Sequence, residues 1–188
     1  VVFDPKRSYR NDGIGELVIS DGGEVGRQKL LDFLRPHQFG KFRVIYEPEP
    51  GQEVEELHHV SLLIEMLQTP YLEKKSDLKT MMVVEECHTA SPNPPNPKMN
   101  GFNRLVTMGR ESGIDIIPVT QRPQSISMFI RDNADKVACF QVSGEDAANA
   151  AAKTIISTTS PLDAIRSLKK WEYVFAENSE WKKMPPLS

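Results

Sequence analysis

The apolar residues of the chain follow two different spacings, and each spacing predicts a different element. Short runs of apolar, often β-branched residues are typical of buried strands, whereas apolar residues three and four positions apart are typical of helices. The predicted strands are Val1–Phe3, Leu17–Ile19, Phe42–Tyr46, Met81–Val84, Asp115–Thr120 and Lys136–Val142. The predicted helices are Val25–Leu34, Gln52–Gln68, Phe102–Glu111, Ser125–Arg131, Gly144–Ile155 and Leu162–Leu168. Strands that alternate with helices over most of the chain predict an α/β fold with a parallel sheet covered on both faces.

Prolines and turn residues predict where several of these elements end. We expect Pro36 to stop the first helix and Pro70 the second, because proline lacks the amide hydrogen that a helix interior needs. Near the end of the chain, Glu172–Ala176 and Glu180–Lys183 predict a β-hairpin around Asn178.

Residues 89–101 are rich in proline and asparagine and predict a long surface loop. Four prolines and three asparagines lie in this segment, and no regular element tolerates so many missing donors. Loops longer than ~12 residues in a compact domain are usually functional or disordered, and both interpretations remain open here. Lys98 is a candidate contact to a DNA backbone, although the segment is not strongly basic.

The segment Met81–His88 carries the first candidate chemistry, because four apolar residues lead directly into Glu85 and Glu86. In open parallel sheets, ligands bind outside the carboxyl ends of the strands, so acids at that position can face a metal ion or a phosphate. The alternative is that the strand simply stops and its first loop residues are solvated, which is common for charged residues.

Composition narrows the classes of protein that remain. A chain of 188 residues with 39% hydrophobic and 26% charged residues fits one domain with an ordinary core. A net charge of -3 argues against a protein that coats nucleic acid with its whole surface. The two cysteines, Cys87 and Cys139, form no disulfide framework and no zinc-ligand spacing. No apolar run approaches the ~20 residues of a membrane span.

A second strand end also carries polar groups, since Thr120 and Gln121 follow the strand that comes after the acidic pair. If the two strands are neighbours, two carboxylates and an amide meet at one edge of the sheet. One acid can then hold Mg²⁺, the second can orient and deprotonate a water, and the amide can contact a terminal phosphate. The grouping is suited to phosphate hydrolysis.

Four segments of the sequence resemble successive motifs of one family. They read FDPKRSY, VVEECH, MGRESGIDIIPVTQRP and DNADKVACFQVSGEDA. Together they resemble the FtsK/HerA superfamily of P-loop ATPases, and among its members the small viral genome-packaging ATPases. The resemblance covers most of Val1–Ala152. It implies a RecA-like, three-layer α/β/α sandwich with a mostly parallel central sheet, forming a single domain over residues 1–188.

The resemblance also implies a function and the roles of individual residues. Glu85 aligns with the metal-associated acid of the Walker B motif, Glu86 with the catalytic glutamate, and Gln121 with the polar sensor. Arg110 is similar to the arginine that these ATPases offer to the nucleotide of a neighbouring subunit. Asp4 and Arg122 are further candidates for the nucleotide site, although Asp4 can equally serve the turn at Pro5 and Arg122 can simply cap the site.

The implied cofactors are ATP and Mg²⁺, the latter held by Glu85 directly or through water. The implied partners are further copies of the chain in a ring, expected to be a hexamer, double-stranded DNA, and the portal vertex of a viral capsid. The implied location is the virion or the host cytoplasm, with no membrane span.

Two departures from the family pattern bear on this interpretation. The metal-side acid is usually Asp, whereas Glu85 places its carboxylate one methylene further out. The sequence also contains no G-x-x-x-x-G-K-[ST] segment, the loop that cradles phosphates. We expect that segment to precede Val1, and the competing interpretation is a domain that has lost nucleotide binding.

Other functions therefore remain open at this stage. A filamentous-phage-type assembly or secretion ATPase belongs to the same class as the packaging motor. A nucleotide-free structural subunit that kept the fold, and a hydrolase that uses Glu85 and Glu86 with a metal but no P-loop, belong to different classes. The Walker A segment separates the ATPases from the others.

Overall fold

The computed structural model describes residues 1–9, 13, 15–91 and 96–186. The chain divides into two compact units, Val1–Thr120 and Gln121–Ser188. Each unit has its own strands and its own buried residues. That residues 1–188 act as a single ATPase domain remains a prediction.

The first unit contains a five-stranded sheet in the order β2-β3-β1-β4-β5, and every pair in it is parallel. The strands are β1 Val2–Phe3, β2 Leu17–Ile19, β3 Val44–Tyr46, β4 Thr80–Val84 and β5 Ile114–Pro118. The helices are α1 Gly23–His37, α2 Glu53–Leu67, α3 Thr69–Leu72, α4 Cys87–Ala90 and α5 Gly101–Met108. The predicted α/β fold with a mostly parallel central sheet is confirmed.

The three longer helices of this unit lie together because of the strand order. The connections from β2 to β3, from β3 to β4 and from β4 to β5 all move across the sheet in the same direction. Since such crossovers are almost always right-handed, they place α1, α2 and α5 on the same face. In agreement, α2 contacts both α1 and α5.

The two faces of the sheet differ in burial at β4 and β5. On β4, Met82 and Val84 are fully buried, whereas Met81 is 53% exposed. Ile117 of β5 pairs in register with Val83 and is 44% exposed. Because side chains alternate between faces along a strand, Met81 and Ile117 lie on the face opposite the helices. Within the described part of this unit, the helical layer therefore covers one face of the sheet.

Pro36 acts differently from the sequence prediction, whereas α2 ends before Pro70 as predicted. Pro36 lies inside α1, which continues to His37, because a proline in the last turn removes only one hydrogen bond of the helix. Pro70 lies after the end of α2 but occupies the first turn of α3, where its missing amide hydrogen has no intrahelical partner to lose.

The second unit contains the antiparallel sheet β6-β7-β8. Its strands are β6 Lys136–Phe140, β7 Tyr173–Glu177 and β8 Glu180–Met184, and its helices are α6 Met128–Asp132, α7 Glu145–Thr154 and α8 Leu162–Arg166. The predicted hairpin is confirmed, and its turn residues Asn178 and Ser179 both have positive φ, as a two-residue hairpin turn requires. The alternation of strands and helices predicted β6 as a parallel strand, but it pairs antiparallel with β7, because alternation alone does not fix the direction of a partner.

The predicted loop 89–101 is described only in part, since residues 92–95 lie outside the described residues. Its first residues belong to α4, and its end is held by the Gly101 amide, which donates to His58 Nδ1 at 2.9 Å. Lys98 is exposed, and its contact with DNA remains a prediction. None of the helices described in either unit has the length and apolar character that crossing a membrane requires.

Candidate functional site

Acidic residues gather at one edge of the first sheet, where the parallel strands β1, β3 and β4 end. Asp4, Glu47 and Glu85 directly follow these three strands. Their backbone amides extend the ladder by one residue, with Asp4 donating to Tyr46 O at 2.8 Å and Glu85 donating to Phe3 O at 3.0 Å. Because the backbone of each acid is fixed to a neighbouring strand, the sheet itself positions the carboxylates.

Glu85 is partly buried and is bound by the loop that follows β1. Tyr9 donates its hydroxyl hydrogen to Glu85 Oε1 at 2.6 Å, and the Tyr9 amide donates to Asp4 Oδ2 at 3.1 Å. One tyrosine therefore holds two of the predicted site residues in the same neighbourhood.

The surroundings of the Asp4 carboxylate indicate whether a cation can bind here. The residue is fully buried, and its Oδ1 has no hydrogen-bond partner among the described residues. A buried carboxylate oxygen without a donor is costly and fits a cation or a water. The described residues contain no group of three or more His, Cys, Asp or Glu side chains that could hold a metal ion. A Mg²⁺ ion usually keeps several waters and needs only one or two carboxylates together with substrate phosphates, and the Asp4 oxygen is chemically suited to such an ion or to one of its waters.

Glu86 has the most constrained conformation in the site. Its backbone is left-handed, with φ 45° and ψ 44°, a region that costs a non-glycine residue about 1 kcal/mol or more. The flanking backbone holds this conformation, since the Cys87 amide donates to Val119 O at 2.9 Å and the Thr89 amide donates to Glu86 O at 2.8 Å. Backbone strain of this kind is enriched at functional sites.

The Glu86 side chain is only 6% exposed and has a cationic or polar partner for each oxygen. The Lys6 ammonium forms an ion pair with Oε1, and His88 Nδ1 lies 3.2 Å from Oε2. His88 Nδ1 also lies 3.0 Å from Thr120 Oγ1. A buried carboxylate needs such partners because an unpaired charge is expensive to bury.

The structure therefore brings together Asp4, Glu85 and Glu86, which the sequence predicted, and adds Lys6 and His88. The predicted neighbour relation between β4 and β5 is also observed, and it places Thr120 beside His88. Gln121 and Arg122 are the first residues of the second unit, and both are exposed. Their roles as sensor and phosphate contact remain predictions.

Arg110 lies at the other edge of the same sheet. It follows α5 and precedes β5, whereas the carboxylates follow the carboxyl ends of the strands. The five residues of β5 span roughly 16 Å at about 3.3 Å per residue. Exposed Arg110 is therefore separated from the Glu86 of its own unit, and its role towards another subunit remains a prediction.

A buried carboxylate next to the site supports its architecture. Glu56 is fully buried and accepts hydrogen bonds from the Tyr46 hydroxyl at 2.6 Å, the Gly23 amide at 2.8 Å and the Glu49 amide at 2.9 Å. Burial, followed by the hydrogen bond to Glu56, raises the pKa of Tyr46. This carboxylate connects the start of α1, the loop after β3 and the first turn of α2.

Sequence reasoning missed Lys6, Tyr9, Glu47 and Glu56. Lys6 and Tyr9 lie within the FDPKRSY motif, and their position directly after a strand that ends at the acidic edge was a usable signal. Glu47 also follows a strand, and its Oε2 lies 3.6 Å from Arg7 Nε. Glu56 gave no such signal, because acidic residues in the first turn of a helix are ordinary.

Comparison with solved structures shows the same fold in ATPases. The genome packaging NTPase B204 from Sulfolobus turreted icosahedral virus 2, in complex with ATP-gammaS, matches with a TM-score of 0.72 and 14% identity over 100% of this chain and 81% of that chain. B204, the DNA-packaging ATPase from Sulfolobus turreted icosahedral virus, matches with a TM-score of 0.65 and 13% identity over 100% and 96%. VirB4 of Thermoanaerobacter pseudethanolicus matches with a TM-score of 0.57 and 14% identity over 79% and 43%.

No family model and no curated protein sequence matches the chain. At identities of 13–14%, the structural matches show the fold. The chain has the α/β fold of these proteins, and the expected α/β class with a mostly parallel central sheet is confirmed.

Proposed function

We propose that the chain is part of an ATP-driven DNA translocase and that it acts as a subunit of a viral genome-packaging motor. The observation that carries the proposal is the pair Glu85 and Glu86 at the carboxyl end of β4, in a fold shared with a DNA-packaging ATPase. One carboxylate is held by a tyrosine near a buried Asp4 oxygen that has no hydrogen-bond partner among the described residues, and the other is held in a left-handed conformation. These two environments suit one carboxylate that binds the metal ion and one that acts as a general base.

In this mechanism Glu85 would hold Mg²⁺, directly or through water, and Asp4 would contribute the second carboxylate. When bound, Mg²⁺ neutralises the charge that develops on the phosphate oxygens. Glu86 orients the attacking water and accepts its proton. Gln121, the residue after Thr120, contacts the terminal phosphate without repelling it, and Arg122 supports it from the same loop.

We further propose that the active form is a homo-oligomeric ring, with a hexamer as the expected size, that translocates double-stranded DNA at a capsid portal. The proposal of a ring rests on Arg110, because Arg110 precedes β5 and therefore lies at the opposite end of the strands from the Glu86 of its own unit. From there its guanidinium group would reach the nucleotide of the next subunit, where it would stabilise charge in the transition state.

The test measures steady-state ATP turnover with and without double-stranded DNA, together with oligomer size by light scattering. Because these 188 residues contain no Walker A loop, the experiment uses the protein as its gene encodes it. We expect DNA-stimulated turnover and a ring. A protein that binds no ATP would instead be the structural subunit, and the motor proposal would be wrong.

The arrangement of subunits is tested by mixing two variants. Arg110→Ala and Glu86→Gln should each be inactive alone, but mixed rings should regain activity at the interfaces that combine an intact Glu86 with an intact Arg110. Arg104→Ala is the matched control, since Arg104 makes an exposed ion pair with Glu65 at 2.7 Å. Full activity of Arg110→Ala alone would remove this residue from the mechanism.

A further inference from the structure

An exposed tryptophan lies in the turn between α8 and β7 of the second unit. Trp171 is 66% exposed, and no other large apolar residue among the described residues 157–186 is exposed. Tryptophan is one of the residues whose burial contributes most to cores and to interfaces. Because Trp171 leaves most of its surface in water, its position favours a role in binding a partner.

The backbone of Trp171 is also in a conformation that tryptophan does not favour. The Glu172 amide donates to Lys169 O at 3.0 Å and closes a four-residue turn. Trp171 is the third residue of this turn, with φ 70°. Type II turns require a positive φ at this position and usually have glycine or asparagine there, since a β-carbon is crowded in the left-handed region. Folding alone therefore gives no reason for tryptophan at position 171.

The turn is held at its base, and its tip is left in solvent. The Lys169 amide donates to Glu172 Oε2 at 2.8 Å, and the Lys183 ammonium of β8 lies 2.9 Å from the same oxygen. The two central residues, Lys170 and Trp171, are both exposed. A surface that is already ordered loses less conformational entropy when it binds. The turn therefore presents its tip to a partner at a low ordering cost.

Lysine side chains give this turn a positive charge. Lys169 and Lys170 are exposed, and Lys170 Nζ lies 5.6 Å from the centroid of the Trp171 ring, within the range of a cation–π contact. The one acid of the turn, Glu172, is already paired with Lys183. Ammonium groups bind nucleic-acid phosphates, and an aromatic ring beside them can pack against sugars or bases. A membrane surface is less suited, because one ring among charges offers little apolar area to insert.

We propose that the turn Lys169–Glu172 is a DNA-contacting site of the second unit, in which Lys169 and Lys170 bind phosphates of double-stranded DNA and Trp171 packs against the neighbouring sugars. The inference rests on the proposed function, which names duplex DNA as the partner. It adds a surface that contains none of the residues of the candidate ATPase site. Because phosphates and sugars carry no direct sequence information, the site binds any sequence, as translocation along a genome requires.

The test measures the affinity for a mixed-sequence duplex by fluorescence anisotropy at several salt concentrations, together with tryptophan emission. Trp171→Gly should weaken DNA binding by about tenfold and reduce the quenching of emission by DNA. Its unfolding temperature should be unchanged or raised, because glycine adopts a positive φ easily. Trp171→Phe keeps a flat ring and should retain most of the affinity. The double variant Lys169→Met with Lys170→Met should lower the salt dependence of log Kd by about one unit per lysine.

Two substitutions of the same residue types serve as matched controls. Trp181 donates its indole hydrogen to Thr159 O at 3.0 Å, so Trp181→Phe should retain the quenching by DNA. Lys75 forms a surface ion pair with Glu73 at 2.7 Å, so Lys75→Met should leave both the affinity and its salt dependence unchanged.

The outcomes separate this inference from the proposed function. If Trp171→Gly unfolds at a lower temperature than the wild type, the ring has a structural role and the lysine double variant decides the proposal. Wild-type affinity for DNA in both Trp171→Gly and the lysine double variant overturns this inference alone. Quenching by phosphatidylserine vesicles but not by DNA also overturns it. A wild-type protein that neither binds duplex DNA nor is stimulated by it overturns the proposed function and this inference together.

Discussion

Replacement of Glu86 by glutamine is the perturbation that most directly tests the candidate site. Glutamine has nearly the same shape as glutamate, so the left-handed backbone and the packing around residue 86 are retained. It cannot accept a proton from water. It also loses the ion pair with Lys6 but can still form a neutral hydrogen bond with His88.

The expected magnitudes separate catalysis from folding. General base catalysis contributes about 10²–10⁴ in rate, or about 3–5 kcal/mol in barrier height, so kcat should fall by that factor. Folding should change by less than about 1 kcal/mol, because the lost ion pair is offset by removal of a buried charge. For a chain of this size, that is a shift in Tm of about 2–4 °C.

The assay combines steady-state ATP hydrolysis, equilibrium binding of a fluorescent ATP analogue, and thermal unfolding. Glu73→Gln is the control, since Glu73 is an exposed glutamate that also pairs with a lysine. We expect Glu86→Gln to bind nucleotide as the wild type does and to hydrolyse it at a small fraction of the rate. A folded Glu86→Gln protein with turnover within twofold of the wild type would refute the role of Glu86 as the base.

Two other predictions concern the folded state around the site. Glu56→Ala should lower the free energy of unfolding by about 3 kcal/mol, because it leaves the Tyr46 hydroxyl and two backbone amides without their acceptor; denaturant unfolding measures this, and a loss below ~1 kcal/mol would contradict it. Burial, with a smaller effect of the nearby Glu86 charge, raises the pKa of Cys87 to about 12, so this thiol should resist alkylation at pH 8 until the protein unfolds. The unfolded thiol titrates near pH 9 while the folded thiol stays protonated, so this contribution to stability is complete below pH 9 and is lost between pH 9 and 12. Stability that is flat over this range would be evidence against the buried environment of the thiol.

The sequence predicted the elements of the first unit well, because apolar spacing reports burial directly. The apolar run before Glu85 forms a strand. Val60 and Ile64, which are four positions apart, lie in a helix, and both residues are fully buried. Spacing does not report which strands pair. The strand at Lys136 therefore looked like one more parallel strand, although it pairs antiparallel with a hairpin that follows some thirty residues later.

The sequence reveals the acids of the candidate site but not their partners, because sequence patterns report only local structure. Glu85 and Glu86 follow a strand directly, so a local pattern marks them. Lys6 and Tyr9 reach them from a loop separated by nearly eighty residues in sequence, and only the pairing of β1 with β4 brings the two segments together. Long-range pairing is decided by the whole sheet, so no short segment reports it.

The left-handed backbone at Glu86 has a consequence for how the protein would change under artificial selection. Glycine or asparagine adopts this conformation more easily than glutamate, and an uncharged residue would not need cationic neighbours in the interior. A directed-evolution experiment that rewards heat resistance alone would therefore favour substitution at position 86. The same experiment coupled to a screen for ATP turnover would hold glutamate there. Under the role proposed for Glu86, thermostability and catalysis make opposite demands on one residue.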